Sequence, residues 1–115
     1  PCALISSGEM TVTIRGDCGR GGPNQEFALA FAHKLKQPGR FACASVDSDG
    51  TDGPTDIAGG IVDHTSMAEA RSRKLDVAGC LKDHDSSAVL ADLGGLVVTG
   101  HTGTNLQNLR VILIP

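Results

Sequence analysis

The run RGDCGRGGPNQEFALAFAHKLK (15–36) constrains the fold more than any other stretch of this chain. Four glycines in seven residues (Gly16, Gly19, Gly21, Gly22) rule out a regular element there, and a helix start follows at once. Gly22 stands at N-cap, Pro23 at N1 and Gln25 at the N3 position of a capping box. The pattern predicts a helix over 24–36, with Phe27, Phe31 and Leu35 on one face. Ala28, Ala30 and Ala32 are small enough to let that helix approach a sheet, and Pro38 and Gly39 mark its end. Upstream, MTVTIRG (10–16) alternates β-branched residues with others and ends in glycine, the signature of a strand. Strand, glycine turn and helix in that order point to an α/β arrangement.

The rest of the chain continues the alternation. PCALIS at the start reads as part of a strand, FACASVD (41–47) as another, and IAGGIVD (57–63) as a third. Residues 65–73 read as a helix capped by Thr65 or Ser66, and 77–93 as a helical stretch broken near Asp85-Ser86. LGGLVVTG (93–100) leads into a strand, 101–105 forms a loop, and LQNLRVILI (106–114) closes the chain as a strand. The expected fold is a layered α/β domain with a mixed β-sheet flanked by helices, its last two strands antiparallel. The 115 residues suffice for one domain with one core. Because the first residues already read as a strand and begin at Pro1, residues 1–115 are expected to be a fragment of a longer protein.

Charge and cysteine usage narrow the function classes. A net charge of −3 offers no basic footprint for nucleic acid or an anionic membrane. The apolar runs are too short for a membrane span, and no signal peptide is visible. Cys2, Cys18, Cys43 and Cys80 have neither CxxC nor zinc spacing, so buried, reduced thiols in a cytoplasmic protein are expected. With no Trp or Tyr, a bound base would rest on aliphatic groups or on Phe27, Phe31 or Phe41.

Three loops could carry chemistry. The glycine-rich turn places free N–H groups at a helix N-terminus, and Arg20 adds a fork suited to carboxylate or phosphate. It is neither a Walker A loop nor GxGxxG, since Asn24 stands where the third glycine belongs, and a tight turn with an exposed arginine accounts for it equally well. The second loop, SVDSDGTDGPTD (45–56), concentrates Asp47, Asp49, Asp52 and Asp56 after a strand. It is not an EF-hand: counted from Asp47, the fifth, sixth and twelfth positions are Thr51, Asp52 and Ala58. It reads as a solvated turn, or as carboxylates that hold Mg²⁺ on a nucleotide or take a substrate proton. In the third, TGHTGTN (99–105), Thr102, Thr104 and Asn105 offer polar groups, with Gly100 and Gly103 admitting a ligand; a plain strand connection explains it as well. His33, His64, His84 and His101 show no metal-ligand spacing and receive no role.

Taken in order, GRGGPNQEFALA, DGTDGPTDIAGGIVD and TGHTGTNLQNLRVILI resemble the signature segments of the MOFRL domain. That domain is the C-terminal half of class II glycerate 2-kinases, some of which carry the name hydroxypyruvate reductase. The resemblance runs over residues 5–114 and departs from the family's usual pattern at Pro23, near Asp47-Ser48, at His101 and near Gln107-Asn108.

The resemblance implies a two-domain kinase that moves the γ-phosphate of ATP to the 2-hydroxyl of D-glycerate with Mg²⁺, in a cleft shared with a Rossmann-like N-terminal domain. It implies that Arg20 neutralises carboxylate or phosphoryl charge, and that Asp49 and Asp52 serve as metal ligand or proton acceptor. Gly21, Gly22, Asn24, Gln25, Glu26, Gly50, Thr51, Gly53, Gly103, Thr104 and Asn105 are the implied substrate- or nucleotide-binding positions. Gly50 and Gly53 are expected to bring the backbone close to the ligand. A hydroxypyruvate reductase domain and a non-catalytic binding module are the alternatives, and no dinucleotide fingerprint supports the former. An exposed acidic loop would tolerate Asp49→Asn and Asp52→Asn with little change in melting temperature, or a rise from relieved repulsion.

Overall fold

The computed structural model describes residues 1–35 and 39–115; Lys36 and Pro38, read above as parts of a helix end, lie outside them. The order is β1 (Cys2–Ser7), α1 (Pro23–Lys34), β2 (Ala42–Asp47), β3 (Gly59–Asp63), α2 (Ser66–Ser72), α3 (Val77–Lys82), α4 (Ser86–Asp92), β4 (Leu96–Val97) and β5 (Asn108–Ile114). The strands form one sheet in the order β1-β5-β2-β3-β4, with helices packed against it. The layered α/β class holds. The sheet, however, is antiparallel at every pairing rather than mixed, and β4 does not pair with β5.

The reason is the position of β5. Strands β1 and β2 both run antiparallel to it and therefore parallel to each other, as a βαβ crossover through α1 requires. The last strand inserts between them, in register Ala44↔Val111 on one side and Ile5↔Val111 on the other, and splits the crossover. A second departure lies at residues 10–16, which form no strand. The β1 ladder ends at Ser7↔Leu109, Gly8 turns away at φ +118°, and β1 is the sheet's edge, with no further strand beside it among the described residues.

The helix α1 covers β2 and β3 with Ala28, Leu29 and Ala32, all buried. Gly60 makes the approach possible, since a Cβ there would lie 2.8 Å from Leu90 Cδ1 and 3.3 Å from Ala28 Cβ. Cys43, Val62, Ala70, Val77, Val89 and Leu90 complete the core. The stripe Phe27, Phe31, Leu35 is not the buried one: Phe27 and Phe31 stack at 6.3 Å, and with Ala30, Lys34 and Leu35 they line an open groove. The cysteines also divide. Cys43 is buried, which pushes its thiol up to about 11, whereas Cys2 and Cys18 are exposed, contrary to expectation; none of the four is paired. No helix among the described residues is long and apolar enough to cross a membrane.

The break at Asp85-Ser86 separates α3 from α4 as expected. At α2, Thr65 occupies the N-cap but makes no side-chain capping bond. Asp63 acts instead: its Oδ1 accepts from Thr65 N–H at 2.7 Å and Thr65 Oγ1 at 2.6 Å, while Ser66 Oγ accepts from Asp63 N–H at 2.9 Å. The Thr65 hydroxyl and amide hold the Asp63 carboxyl below its ordinary value. A depressed folded-state value contributes stability above the unfolded-state value, and this is lost as pH falls through the folded one. Asp63→Asn, which keeps an accepting oxygen but loses the charge, should therefore be less stable than wild type at neutral pH, with the difference vanishing in acid. Urea unfolding across that pH range measures both.

Candidate functional site

The site is organised by Asp52, which is 1% exposed. Its Oδ1 accepts from Asn24 N–H at 2.9 Å and Asn24 Nδ2 at 3.0 Å. Its Oδ2 accepts from Gln25 N–H at 2.8 Å and Gln25 Nε2 at 3.2 Å. Asn24 and Gln25 stand at N2 and N3 of α1, whose amides have no partner within the helix, and Gly22 at N-cap has no side chain to supply one. A carboxylate from a loop 28 residues away thus caps the helix, with the dipole and charge-assisted bonds in its favour. Gly22 is glycine because a Cβ would fall on that carboxylate.

The side-chain amides of the pair are also occupied. Ser45 Oγ donates to Asn24 Oδ1 at 2.6 Å, and the amides of Asn24 and Asn108 meet at 2.8 Å. Gln25 Nε2 donates to Thr55 Oγ1 at 3.1 Å, and Gln25 Oε1 accepts from Ser87 Oγ at 2.5 Å. These facts correct three expectations. Asp52 has no free oxygen for a metal or a proton, and Asn24 and Gln25, both fully buried, face the network rather than a ligand. The tolerance expected of Asp52→Asn falls with them, because the residue is not on an exposed loop surface.

Arg20 is on the surface of the glycine-rich turn, its Nη2 donating to Asp56 Oδ1 at 2.7 Å. A cavity of about 230 Å³ opens beside the turn, lined by Gly21, Gly22 and Glu26 with Gly53, Pro54 and His84. Here His84 Nδ1 lies 3.0 Å from Glu26 Oε2. His84 received no role from the sequence, since 58 residues separate it from Glu26 and no spacing rule joins them.

The acidic loop and the third loop also meet. Thr102 N–H donates to Asp49 O at 3.2 Å, Thr102 Oγ1 to Ser48 O, and Leu106 N–H to Ser48 Oγ at 2.6 Å. The Gly100 carbonyl fills the space a Cβ on Gly50 would need, so Gly50 is buried against protein and does not admit a ligand. Gly53 likewise packs on the Gly22 Cα, though it also borders the cavity. Gly103, Thr104 and Asn105 are exposed. Asp49 Oδ1 accepts from Thr51 N–H at 2.8 Å and Thr51 Oγ1 at 2.9 Å, bonds that hold its carboxyl below the ordinary value. Burial chiefly pushes the neighbouring Asp47 upward, while Asp47 Oδ1 accepts the Asp49 N–H at 3.2 Å. Sequence spacing alone does not rank these two acids, because the local Thr51 bonds lower Asp49 while the burial that raises Asp47 is set by tertiary surroundings. No group of three or more His, Cys, Asp or Glu among the described residues is arranged to hold a metal ion. Asp49 accepts the Thr51 bonds through a single carboxylate oxygen, whereas both oxygens of Asp52 are engaged.

The first and second loops thus join through Asp52 and through Arg20–Asp56, and the second and third through Ser48, Asp49 and Gly50. An antiparallel sheet with three loops interlocked in series, the first two at the N-terminus of α1, defines the class of domain. The MOFRL family pattern matches residues 2–108, and the chain belongs to that family. It is 46% identical over 114 residues to a glycerate 2-kinase of Pyrococcus horikoshii, covering 99% of this chain and 26% of the relative. A putative hydroxypyruvate reductase of Agrobacterium vitis is 40% identical over 115 residues, with 99% and 26% covered. The crystal structure of a glycerate kinase from Thermotoga maritima superposes with a TM-score of 0.93 at 43% identity, covering 100% of this chain and 28% of the other. The chain spans about a quarter of the length of these relatives.

Asp52→Ala should lower unfolding stability by more than about 2 kcal/mol, because four donors lose a buried charged acceptor. Asp52→Asn should also destabilise, since its amide would face donors. Denaturant midpoints of both variants beside wild type check the assignment.

Proposed function

We propose that residues 1–115 are the C-terminal domain of a two-domain glycerate 2-kinase, which transfers the γ-phosphate of ATP to the 2-hydroxyl of D-glycerate. In this reading the domain forms one wall of a cytoplasmic, interdomain active site, opposite a Rossmann-like N-terminal domain. The observation that carries it is the Arg20 guanidinium, exposed on a glycine-rich turn and already engaged by a carboxylate through a single nitrogen. That group suits the carboxylate of glycerate or a phosphoryl oxygen, since phosphoryl transfer asks a protein mainly for positioning and charge stabilisation.

The other roles follow from exposure and charge. Asp49 is held ionised by Thr51, whose bonds go to a single carboxylate oxygen. Magnesium, when bound, would neutralise phosphate charge, and Asp49 rather than Asp52 would help hold it. Thr104 and Asn105 offer exposed polar groups to the ligand, and Glu26 with His84 borders the cavity at the turn. Asn24, Gln25 and Asp52 act indirectly, by fixing the start of α1. The reductase name borne by some relatives supplies a second reading. The turn lacks the dinucleotide fingerprint it would need here.

Arg20→Lys in the full-length enzyme should lower kcat/KM for glycerate by about tenfold or more, roughly 1.4 kcal/mol of transition-state stabilisation, because the planar fork is lost. Its thermal melt should match wild type. Wild-type kinetics in Arg20→Lys and Arg20→Ala would return the turn to a structural role. The 115-residue chain alone should transfer no phosphate to glycerate, since a loose transition state must be clamped from both sides. Glycerate-dependent ATP consumption by the isolated chain would overturn the shared site.

A further inference from the structure

The turn between α3 and α4 grips Arg20 through its main chain. Gly19 N–H donates to Asp83 O at 2.8 Å, Arg20 N–H to Asp85 Oδ1 at 3.0 Å, and Ser87 N–H to Arg20 O at 3.0 Å. Both backbone groups of Arg20 are therefore fixed by a turn some 65 residues away. The flanking glycines are fitted to it: a Cβ on Gly19 would overlap the Asp85 side chain, and one on Gly21 would lie 2.5 Å from Ser86 Oγ. Asp85 stands at the N-cap of α4 yet makes no side-chain bond to its own helix. Its carboxylate serves the glycine-rich turn instead.

The side chain of Arg20 is held from another direction. Asp56 contacts Nη2 alone, leaving Nη1 and Nε without a protein partner among the described residues. With side chains 61% and 88% exposed, this ion pair adds little to folding. What it does bias is direction, because it favours one arrangement of a long, rotamer-rich side chain.

We infer that Asp85 and Asp56 are positioning residues that aim Arg20, one through its main chain and the other through its guanidinium, at an anionic oxygen of the substrate. The inference rests on the substrate-binding role proposed for Arg20. Its test is a set of variants of the full-length enzyme: Asp85→Ala, Asp56→Ala and Asp56→Glu, with the two alanine changes also made in an Arg20→Ala background. Each alanine variant should lower kcat/KM for glycerate by about fivefold or more, with a thermal melt for Asp56→Ala matching wild type. Asp56→Glu should recover part of the loss. Neither alanine change should lower kcat/KM further once Arg20 is alanine, because residues acting through one group are not additive. Wild-type kcat/KM in both alanine variants beside an impaired Arg20→Ala would overturn the inference alone. The same loss recurring in the Arg20→Ala background would do so too. Wild-type kinetics in Arg20→Ala would overturn the Arg20 role and this inference together.

Discussion

One buried carboxylate at the start of one helix holds the arrangement together. Asp52 satisfies the orphan amides of Asn24 and Gln25, and through their side chains it reaches Ser45 on β2, Thr55 in its own loop, Ser87 on α4 and Asn108 on β5. A charge buried without partners is costly, so the four donors and the acceptor stand or fall as a unit. The helix dipole adds to the same side of the balance. Take the carboxylate away and the helix start, the acidic loop and the end of the sheet lose their common anchor.

That anchor explains why glycine is so frequent around it. Three loops can interlock only if their backbones nearly touch. Gly22 against Asp52, Gly50 against the Gly100 carbonyl, and Gly19 and Gly21 against the α3–α4 turn are all close approaches between protein and protein. A glycine-rich loop beside a helix start suggests a ligand's phosphate pressed against bare backbone. Here much of that space is filled by neighbouring loops, while Arg20, Thr104 and Asn105 are exposed to solvent.

The two acids at the entrance to the acidic loop show how much depends on surroundings. Asp47 and Asp49 are two residues apart with the same chemistry, yet burial raises one and two Thr51 bonds lower the other. Charge crowding, which the composition of the loop displays plainly, is only one of the causes. Desolvation and local hydrogen bonds decide the order.

Local signals in the chain determined where most elements lie. Pro23 after glycine starts α1, short apolar runs mark β2 and β5, and the Asp85-Ser86 break separates α3 from α4, because capping, turn chemistry and local patterning act over a few residues. The order of the three loop motifs, each legible in itself, also carried the family. Tertiary structure alone decided that β5 would split the crossover and make the sheet antiparallel, and that residues 10–16 would find no partner strand. It also decided that Asp52, read as a ligand, would become a helix cap, and that Asp85 would serve Arg20 rather than its own helix. A carboxylate, a free amide and a guanidinium have the same covalent chemistry wherever they stand. Which donor each meets depends on contacts between residues 28, 36 or 65 positions apart, a distance over which no sequence period acts.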